Sequence, residues 1–195
     1  LGPAIIVGAP IREGALLYNA AVAIEQGKIT GRYFKRFPPN YQVFDEKRYF
    51  ANGVDTLVMD IKGVPVGITI CEDIWSEGPV EDAATAGARL VVNLNASPYD
   101  IDKQVRRKAL VERKAFENRV SIVYVNLVGG QDELSLMVAQ WFTTIPAYLP
   151  RRRHSSAKGS IQWTSSVNIT ASRYRSLPSP SRHWRRMSTR PWFWE

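Results

Sequence analysis

Apolar and β-branched residues recur in short runs broken by Gly, Pro and polar turns, a pattern of strands punctuated by loops. Runs of this kind predict strands over 4–8, 18–25, 28–35, 57–61, 64–70, 90–94 and 121–126. Longer polar segments with spaced apolar positions predict helices over 80–87 and 101–118. In the second helix Val105, Ala109 and Phe116 share a face interrupted by Glu112, opposite a surface of lysine and arginine, and that face is the expected contact with the core. After Gly63 the order is strand, helix, strand, helix, strand, which predicts a layered α/β fold. At 195 residues the chain has room for one domain with a sizeable core, or for part of a larger one.

The strand ends carry the candidate chemistry. Cys71, the only cysteine, closes the apolar run from Val64 to Ile70 and precedes the acidic, aromatic step Glu72-Asp73-Ile74-Trp75. A thiol mounted at the end of a buried strand points to a nucleophile, although a lone cysteine in such a place also serves as a small core residue. A nucleophilic cysteine needs a base for its proton, a cation or dipole for the charge it develops, and polar groups that orient the substrate. Upstream, the strand ending at Lys35 breaks at Pro38 and Pro39 into a polar, aromatic loop. Downstream, Asn93-Leu94-Asn95-Ala96-Ser97-Pro98 closes one apolar strand, and Asn126 and Gln131 follow another. Several strand ends bearing Cys, Asn, Ser and Gln are how an α/β enzyme builds a site along one edge of its sheet.

Five segments, in order and spacing, carry a resemblance to a known family. They are VGAPIREGALLYNAAVAIEQGKITGRYFK (7–35), PNYQVFDEKRYF (39–50), GITICEDIW (67–75), VNLNASP (92–98) and VYVNLVGGQDEL (123–134). Together they resemble the glutaminase domain of glutamine-dependent NAD+ synthetases, a branch of the nitrilase superfamily of carbon-nitrogen hydrolases, over about two thirds of the chain. The resemblance implies an α-β-β-α sandwich and hydrolysis of the side-chain amide of L-glutamine through a Glu, Lys, Cys triad. A glutamyl thioester forms, and the released ammonia feeds a synthetase domain. It places Cys71 as the nucleophile and Lys35 as the triad lysine. Tyr41, Phe44, Glu46, Glu72, Ser97 and Lys103 match the glutamine pocket, with Lys103 suited to the α-carboxylate and Glu46 to the α-amino group. It also implies a homo-oligomer, no cofactor in this domain, and ATP and Mg2+ only in the synthetase domain.

Three departures accompany the match. The triad glutamate is expected on an earlier strand well upstream of Lys35; Glu13 and Glu25 lie in a stretch that matches another part of the domain, so the chain reads as truncated at its N-terminus, where it begins with Leu. Pro38 stands where the family usually has Leu, which stiffens the loop before Tyr41. After Leu134 the pattern is lost. Residues 135–195 hold nine Arg and one Lys against one acidic residue, whereas the first 134 hold 16 basic and 17 acidic. Five of the six tryptophans and eleven serines fall in the same segment without helical or strand period, as out-of-frame translation produces. The expected organisation is therefore a partial glutaminase domain over 1–134 and a basic, disordered tail over 135–195. The incomplete sandwich is expected to expose core edges and to be marginally stable.

The net charge of +8 belongs to that tail. Arg151-Arg152-Arg153 and Arg182-His183-Trp184-Arg185-Arg186 suit salt-sensitive contact with single-stranded nucleic acid, an alternative non-enzymatic reading, but charge confined to one replaced segment argues against specific binding. A stand-alone amidase is the other alternative, which the 39–50 and 129–134 segments oppose because they match the synthetase branch. One cysteine and two tail histidines offer no metal cluster, and no Gly-rich phosphate loop is present. No apolar run approaches the ~18 residues of a membrane span, and a cytoplasmic location is expected.

Overall fold

Three antiparallel strands open the chain: β1 (Ile5–Glu13), β2 (Leu16–Glu25) and β3 (Lys28–Phe34), in the order β1-β2-β3. The β2–β3 turn is made by Gln26 and Gly27, both at positive φ, the handedness that lets a two-residue turn follow the strand twist. β1 runs past Pro10, where an end at Gly8 is predicted from sequence. Pro10 pairs with Asn19 from an edge strand, where a missing N–H is tolerated.

The second sheet is mixed. β4 (Val58–Ile61) and β5 (Val64–Ile70) form a hairpin, and β5, β6 (Leu90–Asn95) and β7 (Ser121–Asn126) run parallel. Helix α1 (Pro79–Thr85) crosses from β5 to β6, and α2 (Lys103–Asn118) from β6 to β7. This computed structural model describes residues 2–41, 44–98 and 103–127, with short backbone strands beyond: β8 (Gly129–Gln131), β9 (Leu134–Leu136), β10 (Gln140–Thr143), β11 (Ser160–Trp163) and β12 (Val167–Thr170). β10 pairs antiparallel with β7, giving the sheet order β10-β7-β6-β5-β4. Three strands thus fall within the segment expected to be an aperiodic tail, at β-branched and aromatic stretches such as Gln140-Trp141-Phe142-Thr143. The arginine clusters of that segment lie outside the described residues.

The two sheets face each other. Ala21, Ala23 and Tyr33 of the first pack against Ile68 and Ile70 of the second, and Val66, Val92 and Val123 continue the seam. On the far side of the second sheet Val91, Ile122 and Tyr124 meet Val80 and Ala83 of α1 and Leu110, Val111 and Ala115 of α2. The layers run sheet, sheet, helices, three of the four layers of an α-β-β-α sandwich.

The buried face of α2 differs from the expected one. Val105 and Phe116 are 77% and 79% exposed, and Ala109 is exposed with them. The face on the sheet is Arg107, Leu110, Val111, Lys114 and Ala115. Two cations enter it because each finds a fixed acceptor: Arg107 donates to the Pro98 carbonyl at 3.0 Å, and Lys114 to Glu81 and, at 3.1 Å, to the Ser76 carbonyl. Their aliphatic stems cover the sheet while their heads are paired, so polarity alone misassigns the face. Among the described residues no helix is long and apolar enough to cross a membrane.

Candidate active site

β3, β5 and β6 all end at the same edge, and each ends in a polar residue that leaves its strand. Cys71 follows β5 and opens a 3-10 helix, Cys71–Ile74, with φ of +47°. A non-glycine residue in this left-handed region costs on the order of 1–3 kcal/mol and persists where neighbouring contacts impose it. The Ile70 N–H donates to Asp73 Oδ2 at 3.0 Å and the Trp75 N–H to the Glu72 carbonyl at 2.9 Å, which close the turn on both sides of Cys71.

Lys35 follows β3 and is 1% exposed. Its backbone is fixed at both ends: its N–H donates to the Asn19 carbonyl and its carbonyl accepts from the Gly53 N–H, each at 2.8 Å. Only glycine permits the second contact, because a Cβ at position 53 would lie 2.1 Å from the Phe34 carbonyl oxygen. The ammonium reaches both oxygens of Glu46, at 2.8 and 2.9 Å. Glu46 sits in a 3-10 helix, Glu46–Arg48, and Asn19 Nδ2 donates to its Oε2 at 3.1 Å. A buried ammonium is tolerable because its partner is both charged and oriented.

Ser97, beyond the end of β6, is buried with its Oγ 3.5 Å from Cys71 Sγ. Asn126 at the end of β7 holds Ser97 twice, accepting from its N–H at 2.8 Å and donating to its carbonyl at 3.2 Å. Beneath them Asn95 donates to Asn93, and Asn93 to Thr69, so the ends of β5 and β6 are joined by buried side chains. Burial pushes the Cys71 thiol up from its ordinary value. Lys35 and the Ser97 hydroxyl pull it down, and the charges of Glu46 and Glu72 add to the rise. Burial likewise pushes Tyr124 up to about 12, with the charge of Cys71 adding to it and the Ser97 hydroxyl opposing it.

The rim is aromatic and acidic. Tyr41 donates to Glu72 Oε2 at 2.7 Å, and its ring meets Phe44 edge-on with centroids 6.0 Å apart. Burial, then the bond to Glu72, raises the Tyr41 phenol. Lys103 is the first residue of α2, half-buried, six positions after Ser97. The geometry therefore groups Cys71, Ser97, Lys35 and Glu46, links Tyr41, Phe44 and Glu72 beside them, and sets Lys103 at the start of the helix that follows. Glu46 touches Lys35 and Asn19, contacts that its sequence reading toward an α-amino group does not include. Glu13 faces Arg32 at 3.6 Å on the surface, and Glu25 lines a surface cleft of about 250 Å³ with Gly2, Gln26, Asp60 and Lys62, which shares no residue with this site.

Two residues of the site had no role assigned to them from the sequence. Asn126 reads as one more polar strand end. Asp73 reads as a loop carboxylate after Cys71, yet it is fully buried and accepts four hydrogen bonds. Burial pushes it up from the ordinary carboxylate range, against the bonds from Ile70, Tyr33 and Phe37. Among the described residues no group of three or more His, Cys, Asp and Glu is placed to hold a metal ion.

A sheet-on-sheet α/β layer with a cysteine and a lysine at adjoining strand ends and a carboxylate on the lysine defines a class, and residues 1–155 match the carbon-nitrogen hydrolase family, to which this chain belongs. Within it the chain is 47% identical over 131 residues to a glutamine-dependent NAD(+) synthetase of Aquifex aeolicus, covering 67% of this chain and 23% of that protein. A solved glutamine-dependent NAD+ synthetase of Acinetobacter baumannii superposes with a TM-score of 0.70 at 37% identity, over 72% of this chain and 27% of that one. The chain thus spans about a quarter of the length of these relatives. An amidase of Nesterenkonia AN1, at 23% identity and a TM-score of 0.66 over 75% of this chain and 55% of that one, shares the nitrilase-superfamily fold.

Proposed function

We propose that this segment is the glutamine-hydrolysing part of a glutamine-dependent NAD+ synthetase. The observation that carries the reading is the buried Lys35–Glu46 pair, whose ammonium bears on the thiol of Cys71 with Ser97 Oγ 3.5 Å from the sulfur. In the first half-reaction Cys71 Sγ attacks the side-chain amide carbon of glutamine. A C–S bond forms, the C–N bond breaks, and the thiol proton leaves with nitrogen as ammonia. In the second, water adds to the thioester, the C–S bond breaks, and glutamate and the thiol are restored. Lys35 stabilises the thiolate and the oxyanion that follows, and Glu46 keeps the ammonium in place. Tyr41, Phe44 and Glu72 form one wall of the glutamine pocket, Ser97 its floor, and Lys103 takes the α-carboxylate.

The proton acceptor is the weak point. Among the described residues the carboxylates that act on the thiol are Glu46, held by Lys35, and Glu72, held by Tyr41. Both are engaged, and if no other carboxylate serves as the base, turnover should be about 100- to 10,000-fold below that of a complete triad. ATP and Mg2+ belong, on this reading, to the synthetase domain that receives the ammonia.

The test is alkylation, which does not require turnover. A chloromethyl ketone analogue of glutamine should add one mass equivalent at Cys71, L-glutamine should protect against it, and Cys71→Ala should take up none. Protection by simple aliphatic amides and not by glutamine would replace this function with that of an amidase.

A further inference from the structure

Lys35 and Cys71 stand on different sheets, and their relative position needs a connection across the seam. The backbone bonds of Lys35 run to Asn19 in β2 and Gly53 in the following connection, neither of which belongs to the β5 sheet. Asp73 supplies the crossing. Its Oδ1 accepts from the N–H groups of Arg36 and Phe37, at 3.1 and 3.0 Å, immediately after Lys35. Its Oδ2 accepts from the Tyr33 hydroxyl at 2.8 Å, two residues before Lys35, and from the Ile70 N–H at 3.0 Å, the residue before Cys71. One fully buried carboxylate therefore binds three groups flanking the lysine and one flanking the cysteine. We propose that Asp73 is a positioning residue that fixes the Lys35 ammonium against the Cys71 sulfur by tying the end of β3 to the end of β5.

This inference rests on Cys71 being the nucleophile and Lys35 its cation. A structural weld alone would not use both oxygens on donors adjoining the two chemical groups, nor accept the cost of burying a carboxylate where an apolar side chain would pack. The charged and titratable groups facing the thiol are Lys35 from the end of β3, Glu46 from its 3-10 helix, Glu72 from the cysteine turn and Tyr124 from β7. Those facing Asp73 are Tyr33 and Lys35. Positioning and charge predict opposite effects. Removing the carboxylate charge alone eases ionisation of a nearby thiol; letting Lys35 drift from the sulfur hinders it.

Because Cys71 is the only cysteine, iodoacetamide reports on it alone. The rate of its alkylation, followed from pH 6 to 11 in the full 195-residue chain, gives the apparent thiol pKa. Lys35→Met should raise that pKa by about one unit or more, a tenfold loss of thiolate below the titration. Asp73→Asn, which keeps the shape but turns an amide N–H toward the Ile70 N–H, should raise it by about one unit. In the Lys35→Met background Asp73→Asn should add nothing. A fall or no change in the single Asp73→Asn variant, or an equal shift in both backgrounds, overturns the proposal while leaving the function in place. An unshifted Lys35→Met variant instead removes Lys35 from the mechanism, and the Asp73 role with it. If circular dichroism shows Asp73→Asn unfolded, Tyr33→Phe carries the test: it deletes one of the four donors and should shift the pKa the same way by about a third as much, and an unchanged value overturns the proposal.

Discussion

Glu46 offers a sharp measurement because its partner has no access to water. Replacing it with Gln leaves the Lys35 ammonium, 1% exposed, facing a neutral amide that can offer it one oxygen in place of two. Breaking one side of a buried ion pair typically costs about 3–5 kcal/mol. The lower end applies here, since Glu46 is itself 20% exposed and Gln keeps one acceptor. A loss of about 3 kcal/mol corresponds, for a chain of this size, to a fall in Tm of about 6–12 °C. Urea melts of the two chains, with parallel slopes so that the midpoint alone reports stability, are the assay. A Glu46→Gln cost below about 1 kcal/mol would mean a pair screened by solvent, as exposed pairs are, and would refute the claim that Glu46 holds Lys35. It would also favour the other role for Glu46, as a contact to the α-amino group of glutamine, whose loss weakens protection by glutamine without touching the unliganded melt.

In a protein that joins this segment to a synthetase domain, Cys71→Ala should abolish NAD+ formation from glutamine and spare formation from ammonia, which a coupled assay with each nitrogen source decides. Ser97→Ala removes a hydroxyl that lowers the thiol pKa, so alkylation of Cys71 at neutral pH should slow, by about threefold, and an unchanged rate would remove that hydrogen bond from the site. Burial raises the folded thiol above its unfolded value. Its contribution to stability is therefore complete below the unfolded pKa, about 8.5, and lost as pH rises through the folded one; urea midpoints should fall in that window and the fall should shrink in Cys71→Ala. Glu81 has the opposite sign: burial raises it, but Lys114 and the Gly78 N–H outweigh that and hold it low, so its contribution is present above about pH 4.3 and lost below. Acid melts of Glu81→Gln should show a smaller loss over that range.

Legibility in the sequence followed how local each cause is. Short apolar runs between turns announce themselves, and β5, β6 and β7, covered on both faces, fall at or within a residue of the predicted bounds. β1 ran longer than Pro10 suggested because only the sheet order reveals that it is an edge. The face of α2 was misread because Arg107 and Lys114 are buried by acceptors on the Pro98, Ser76 and Glu81 segments, which no helical period encodes. The 3-10 turns that carry Glu46 and Cys71 were likewise absent from the pattern, being too short for a period of their own.

The same distinction separates the two kinds of residue in the site. Cys71 and Lys35 can be picked out by the chemistry they offer and the segments around them. Asp73 and Asn126 offer no reactive atom, and their part is visible only in what they hold. Each satisfies backbone groups that leave their strands to bring a side chain to the sulfur: Arg36, Phe37 and Ile70 for Asp73, both sides of Ser97 for Asn126. The groups of Arg36, Phe37 and Ser97 lie beyond the ends of β3 and β6, where no ladder partner is supplied, and Ile70 is the last residue of β5. A strand end that is to present chemistry inside a dry seam must therefore recruit a polar side chain from a neighbouring segment. That requirement places buried Asp and Asn beside this nucleophile, and it makes the precision of the site depend on residues that never touch the substrate.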